Sequence, residues 1–150
     1  MITGVHHVGV IVSDLEKALE FYTDVLGGKL LFRDEAGPEY LEKGVGIKNA
    51  SAKLVVLKVG PATLELIEYL NPRTKVEELR PCDVGTFHLA FEVDDIDKTM
   101  EELKKRGIKF TSAPNVVEGG EFRGWVWAYF KDPDGHQLEV VENRELKYPL

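Results

Sequence analysis

The chain contains one strand-helix pattern twice, and that repetition limits the folds open to it. Residues 5–26 read as a strand rich in β-branched side chains followed by an amphipathic helix. Residues 86–107, TFHLAFEVDDIDKTMEELKKRG, read the same way. A shift of 81 positions lays His7 on His88, Val12 on Val93, Asp14 on Asp95, Lys17 on Lys98 and Glu20 on Glu101. LEL at 64–66 and LEV at 138–140 then close the two halves, with Glu68 and Glu142 following in the same phase. Further strand candidates lie between, at 29–34 and 53–59 in the first half and at 108–112 and 122–130 in the second. The pattern predicts an α+β fold of two βαβββ modules in a single domain over 1–150. Module 1 covers about 3–69 and module 2 about 86–143. The linker 70–85 has room for one short helix, and a tail follows over 144–150.

Ser13-Asp14-Leu15-Glu16 has the form of a capping box and predicts a helix from about 14 to 26, stopped by Gly27. Asp94 is the expected N-cap of the second helix, whose apolar face is Ile96, Met100 and Leu103, with Gly107 as its stop. The glycine-containing stretch 35–50 (Gly37, Gly44, Gly46) reads as a loop, either a lid or plain surface.

At 150 residues the chain is long enough to bury a core, and 43% hydrophobic with 30% charged residues is an ordinary globular composition. No apolar run approaches the roughly 20 residues of a membrane span. The net charge of −7 argues against nucleic acid, whose backbone requires clustered cations. The densest basic run, LKKRG at 103–107, is expected to end a helix and complement its dipole. Cys82 is the only cysteine, and no secretory leader is recognisable, so a cytoplasmic protein is expected.

The repeat separates the adjacent histidines. His7 has His88 as its equivalent, whereas His6 is matched by Phe87. If both lie in a strand, His6 and His7 point to opposite faces, and His6 is a solvated or packing residue. Glu65 and Glu139 are also equivalent, each inside an apolar strand. Alternation turns the flanking Leu and Val toward the helix-covered core and the two carboxylates the other way. A carboxylate on a half-apolar face needs a partner, and His7 and His88 would supply one through a metal. Two imidazoles and two carboxylates suit Zn, Ni, Co, Mn or Fe(II), one divalent ion per chain. Glu68 and Glu142, near strand ends, are expected to be solvated, and His136, beside DPDG at 132–135, to face solvent from a hairpin turn. In FRGWVWAYF, Arg123, Trp125, Trp127 and Tyr129 alternate with small or aliphatic residues. They form either an aromatic substrate wall with one cation or simple filling and dimer contact.

HHVGVIVSDLEKALEFYTDVLG, FHLAFEVDDID and FKDPDGHQLEVVE together resemble the vicinal oxygen chelate superfamily: glyoxalase I, methylmalonyl-CoA epimerase, extradiol dioxygenases and fosfomycin-resistance proteins. The resemblance covers about residues 3–143. It implies that the modules curl into an open, barrel-like mixed sheet with helices outside, around a metal held by His7, Glu65, His88 and Glu139. It implies a lyase or isomerase that moves a proton next to a carbonyl through an enediolate held by the metal, with Glu139 or Glu65 as the base. Having Glu at both carboxylate positions is similar to glyoxalase I, for which glutathione or another thiol would be cosubstrate. Four ligands on an octahedral metal leave two positions, enough for an enediolate but not for a catecholate and O₂ together. An Fe(II) extradiol-type dioxygenase is the alternative reading, as is a drug-binding resistance protein without catalysis. Members of this size also imply a homodimer acting on a small molecule, without nucleic acid or membrane partners.

Overall fold

The computed structural model describes residues 1–74 and 79–145. The chain divides into two compact units, Met1–Glu77 and Glu78–Leu150. The first holds β1 (Val8–Ile11), α1 (Leu15–Glu20), β2 (Lys29–Ala36), α2 (Pro38–Val45), β3 (Ser51–Val59) and β4 (Ala62–Asn71). Its sheet has the order β1-β4-β3-β2. The second unit holds β5 (His88–Glu92), α3 (Ile96–Lys105), β6 (Asn115–Val116), β7 (Trp125–Lys131) and β8 (Gln137–Asn143), in the order β5-β8-β7-β6. In both sheets the first strand runs parallel to the last and the other pairings are antiparallel. The repeat in the sequence is therefore a repeat in topology, and two mixed sheets with helices give the expected α+β class.

Each sheet has one face covered by its helix. In the first unit Val10, Leu64 and Leu66 are buried, as are Leu15, Ala18 and Leu19 of α1, which lies against β3 and β4. In the second, Ile96, Met100 and Leu103 of α3 are buried, with Val126, Ala128, Phe130, Leu138 and Val140 from the sheet. Alternate strand residues thus go to the core, which leaves the other parity for chemistry. The basic residues Lys104 and Lys105 do lie in the last turn of α3.

Several local expectations are corrected. The first helix is capped by Asp14, whose Oδ1 accepts the Lys17 N–H at 3.0 Å. Glu16 does not close a capping box; its carboxylate takes a two-pronged bond from Arg33 of β2. After Glu20 the helix widens into a π-helical turn over Phe21–Val25, ending at Gly27, which has φ 75°. Gly28 then passes so close to the Tyr22 carbonyl that a Cβ would lie 2.7 Å from its oxygen. In the second unit the cap is Asp95, not Asp94, with Oδ1 accepting the Lys98 N–H at 2.9 Å. Asp14 and Asp95 are repeat partners, so the caps obey the repeat better than the motif did.

Residues 38–45 form α2 rather than part of an open loop. Its signals were local: Pro38 in the first turn and Gly46 in the left-handed conformation after the last. The expected strand 108–112 reduces to an isolated bridge between Phe110 and Phe130, and the short β6 takes the outer place. The centre of the linker, where a short helix was expected, lies outside the described residues, as does most of the tail.

Candidate functional site

The register of the parallel strands sets the geometry. Gly9 of β1 is the Cα partner of Glu65 in β4, and Ala90 of β5 is the partner of Glu139 in β8. In each unit the glutamate pairs with the residue two beyond the histidine. His88 opens β5, so its imidazole falls on the glutamate's face, one pleat away, whereas His7 immediately precedes β1 and reaches Glu65 from just outside the strand. His7 Nε2 lies 3.3 Å from Glu65 Oε2, and His88 Nε2 lies 2.9 Å from Glu139 Oε2. The intervening residues are small, so neither crowds the pair. At Gly9 an added Cβ would meet only Ile67 Cδ1 at 3.8 Å, and the second unit carries that Cβ as Ala90.

Both pairs are accessible at the imidazole and sheltered at the carboxylate. The His7 and His88 side chains are 42% and 44% exposed, against 24% for Glu65 and 12% for Glu139. Burial pushes the Glu139 carboxyl above the ordinary carboxylate range, and His88 beside it works in the opposite direction. Among the described residues no group of three or more His, Cys, Asp or Glu side chains gathers to hold a metal ion. The structure presents two pairs instead. The donor chemistry of each pair, one imidazole nitrogen and one carboxylate oxygen, fits a divalent ion.

The aromatic row lies on the same face as Glu139. Tyr129 is the Cα partner of Glu139, Trp127 of Val141 and Trp125 of Asn143. Their neighbours Val126, Ala128 and Phe130 are buried on the core side. The Tyr129 ring lies 5.3 Å from His88 and 4.9 Å from Trp127. Desolvation, followed by the charge of Glu139, raises the Tyr129 hydroxyl, which stays a neutral donor. Arg123 does not share this row. The strand begins at Trp125, and Arg123 sits in the preceding turn with its Nε 3.4 Å from Glu145 Oε1.

Four other residues depart from expectation. Glu68 and Glu142 are not solvated strand ends. Glu68 Oε2 accepts the Leu15 N–H at 3.1 Å, and Glu142 Oε2 accepts the Ile96 N–H at 3.0 Å. Their core-facing parity aims them at the first turn of the helix, and Arg73 and Arg144 pair with them. His136 does not simply face solvent; its Nδ1 lies 2.8 Å from Oδ2 of the buried Asp132. His6 also has a partner: its Nδ1 lies 2.8 Å from Nδ1 of His7. Strand alternation does not separate the two rings, because β1 begins only at Val8.

The comparisons with known proteins agree with this architecture. The model of the Glyoxalase/Bleomycin resistance protein/Dioxygenase superfamily matches residues 4–140, a span that contains both His–Glu pairs. The chain is 38% identical over 143 residues to 2-epi-5-epi-valiolone epimerase from Actinomyces sp, covering 92% of this chain and 78% of that protein. It is 31% identical over 141 residues to lactoylglutathione lyase from Escherichia coli O157:H7, covering 93% and 92%. A glyoxalase family protein from Bacillus cereus shares the fold with a TM-score of 0.80 at 20% identity, covering 95% of each chain. The chain belongs to the glyoxalase/bleomycin resistance protein/dioxygenase superfamily.

Proposed function

We propose that the protein is a divalent-metal-dependent lyase or isomerase that moves a proton on carbon next to a carbonyl. The observation that carries this reading is the matched pair of His–Glu contacts, His7–Glu65 and His88–Glu139, one in each of two units of equivalent sheet topology. Its family relatives support it, since one is an epimerase and another a lyase.

His7, Glu65, His88 and Glu139 together would hold one ion per chain, of Zn, Ni, Co, Mn or Fe type. When bound, the ion would supply a Lewis acid for the negative charge that develops on substrate oxygens as the proton leaves. Glu139 or Glu65 takes that proton at a carboxylate oxygen and can return it to either face of the carbon. Trp127 and Tyr129 border Glu139 and keep water from the carbanion-like centre; the neutral Tyr129 hydroxyl can donate to a substrate oxygen. The substrate is a small organic carbonyl compound, with glutathione or another thiol as cosubstrate if the reaction is of the lyase type. Homodimerisation belongs to the same reading. So does a reducing compartment such as the cytoplasm, which suits the exposed free thiol of Cys82. Among the described residues no helix is long and apolar enough to cross a membrane.

The test is solvent deuterium exchange at the carbon next to the carbonyl. The substrates are the methylglyoxal–glutathione adduct, methylmalonyl-CoA and 2-epi-5-epi-valiolone. Exchange should appear with at least one, disappear with a chelator, and return with added divalent metal. Glu139→Gln and Glu65→Gln should each lower it without unfolding the protein. Absence of exchange under every metal, together with cleavage of catechols by Fe(II) and O₂, would replace this reading with a dioxygenase.

A further inference from the structure

We infer that His6 is a positioning residue for His7, a two-way hydrogen-bond partner that lets His7 exchange the proton on its Nε2 for a metal ion. The inference rests on the metal reading above. It starts from two distances: Nδ1 of His6 is 2.8 Å from Nδ1 of His7, while His7 Nε2 is 3.3 Å from the Glu65 carboxylate.

Two ring nitrogens at that distance share one proton, and a neutral imidazole carries one N–H. Without metal, the Glu65 carboxylate is an acceptor and draws the His7 proton to Nε2. His7 Nδ1 is then a bare acceptor, and His6 must donate from its own Nδ1. With metal, His7 Nε2 must offer its lone pair, so the His7 proton belongs on Nδ1 and now needs an acceptor. His6 supplies it by switching tautomer. The proton on His7 Nε2 leaves to solvent, the shared proton moves from His6 Nδ1 to His7 Nδ1, and His6 Nε2 takes one proton from solvent. The two rings hold two protons before and after, so the exchange is neutral and involves no net titration.

His6 is exposed, so its Nε2 can trade that proton with water. The repeat shows that the arrangement is local to the first unit. Phe87 stands at the equivalent place beside His88, and a phenyl ring offers no such partner. His88 is instead flanked by the Tyr129 ring at 5.3 Å. His6 is therefore not required by the fold that both units share.

The test combines nitrogen NMR of the histidine tautomers with zinc titration of the full chain, at a pH above the ordinary imidazole range. In the metal-free protein His7 should carry its proton on Nε2 and His6 on Nδ1. On zinc loading both should switch, His6 in step with His7 although it is not a ligand. His6→Phe, which copies the second unit, should weaken zinc binding by about tenfold or more, the usual effect of removing a ligand's outer partner. His6→Gln, whose amide both donates and accepts, should restore most of that loss. Zinc binding by the wild type with an unmoved His6 tautomer, or unaltered affinity in His6→Phe, would overturn this inference alone. Failure of the wild type to bind zinc or any other divalent ion would overturn the metal reading with it.

Discussion

Asp132 organises the turn between β7 and β8 that delivers Glu139. Its Oδ1 accepts the N–H groups of Asp134 and His136 at 3.0 and 2.8 Å, and its Oδ2 meets the His136 ring. That carboxylate holds His136 above the ordinary imidazole value, with burial acting in the opposite direction. A histidine raised in the folded state contributes stability that is complete below about pH 6.5, its unfolded value, and lost as pH rises through the folded value. Thermal melts of wild type and Asp132→Asn should therefore differ most at acidic pH and converge above the folded value. A difference that does not change with pH would show that the ring is not stabilised as the cation. At this scale the sequence was informative where the repeat doubled a signal. His7, Glu65, His88 and Glu139 were each ambiguous alone and stood out as equivalent pairs. His6 and Arg123 were misplaced for one shared reason: strand alternation was extended past the true strand ends at Val8 and Trp125.

α1 and α3 are each tied to the last strand of their own unit by a carboxylate. The Leu15 and Ile96 N–H groups are among those a helix start leaves without an intrahelical acceptor, and Glu68 and Glu142 supply one from across the sheet. The Arg144 side chain, followed by the Ile96 N–H, holds Glu142 below the ordinary carboxylate range. Its contribution is accordingly present above the unfolded value and fades in acid. Glu68→Ala and Glu142→Ala should each lower stability by about 1 kcal/mol, the scale of a lost helix cap. Chemical denaturation checks this, and unchanged stability in both would mean the contacts are incidental. These ties were hidden because they join residues far apart in sequence, Leu15 with Glu68 and Ile96 with Glu142. The strand parity that aims the carboxylates at the helix also made them look like solvated strand ends. α2 is masked differently: Gly37, Gly44 and Gly46 give its segment the composition of a loop, although Gly46 is a helix stop.

At the scale of the whole molecule the repeat carries most of what was legible. It gave the strand-helix order of both units and the equivalent sheet topologies, while the second outer strand shrank to Asn115–Val116. β2 is the outer strand of the first sheet, and Leu30, Leu31 and Phe32 on it are exposed. An unpaired apolar edge of this kind favours association with a second copy. Light scattering at micromolar concentration should give twice the 16.9 kDa chain mass; a mass of one chain would contradict the homodimer. The central proposal is that His7, Glu65, His88 and Glu139 are metal ligands, and metal content tests it most directly. After repletion with a saturating divalent ion, the wild type and His6→Ala should each retain one ion per chain, while His7→Ala and His88→Ala should each lose it. Full retention in His7→Ala and His88→Ala, or loss confined to His6→Ala, would contradict the claim.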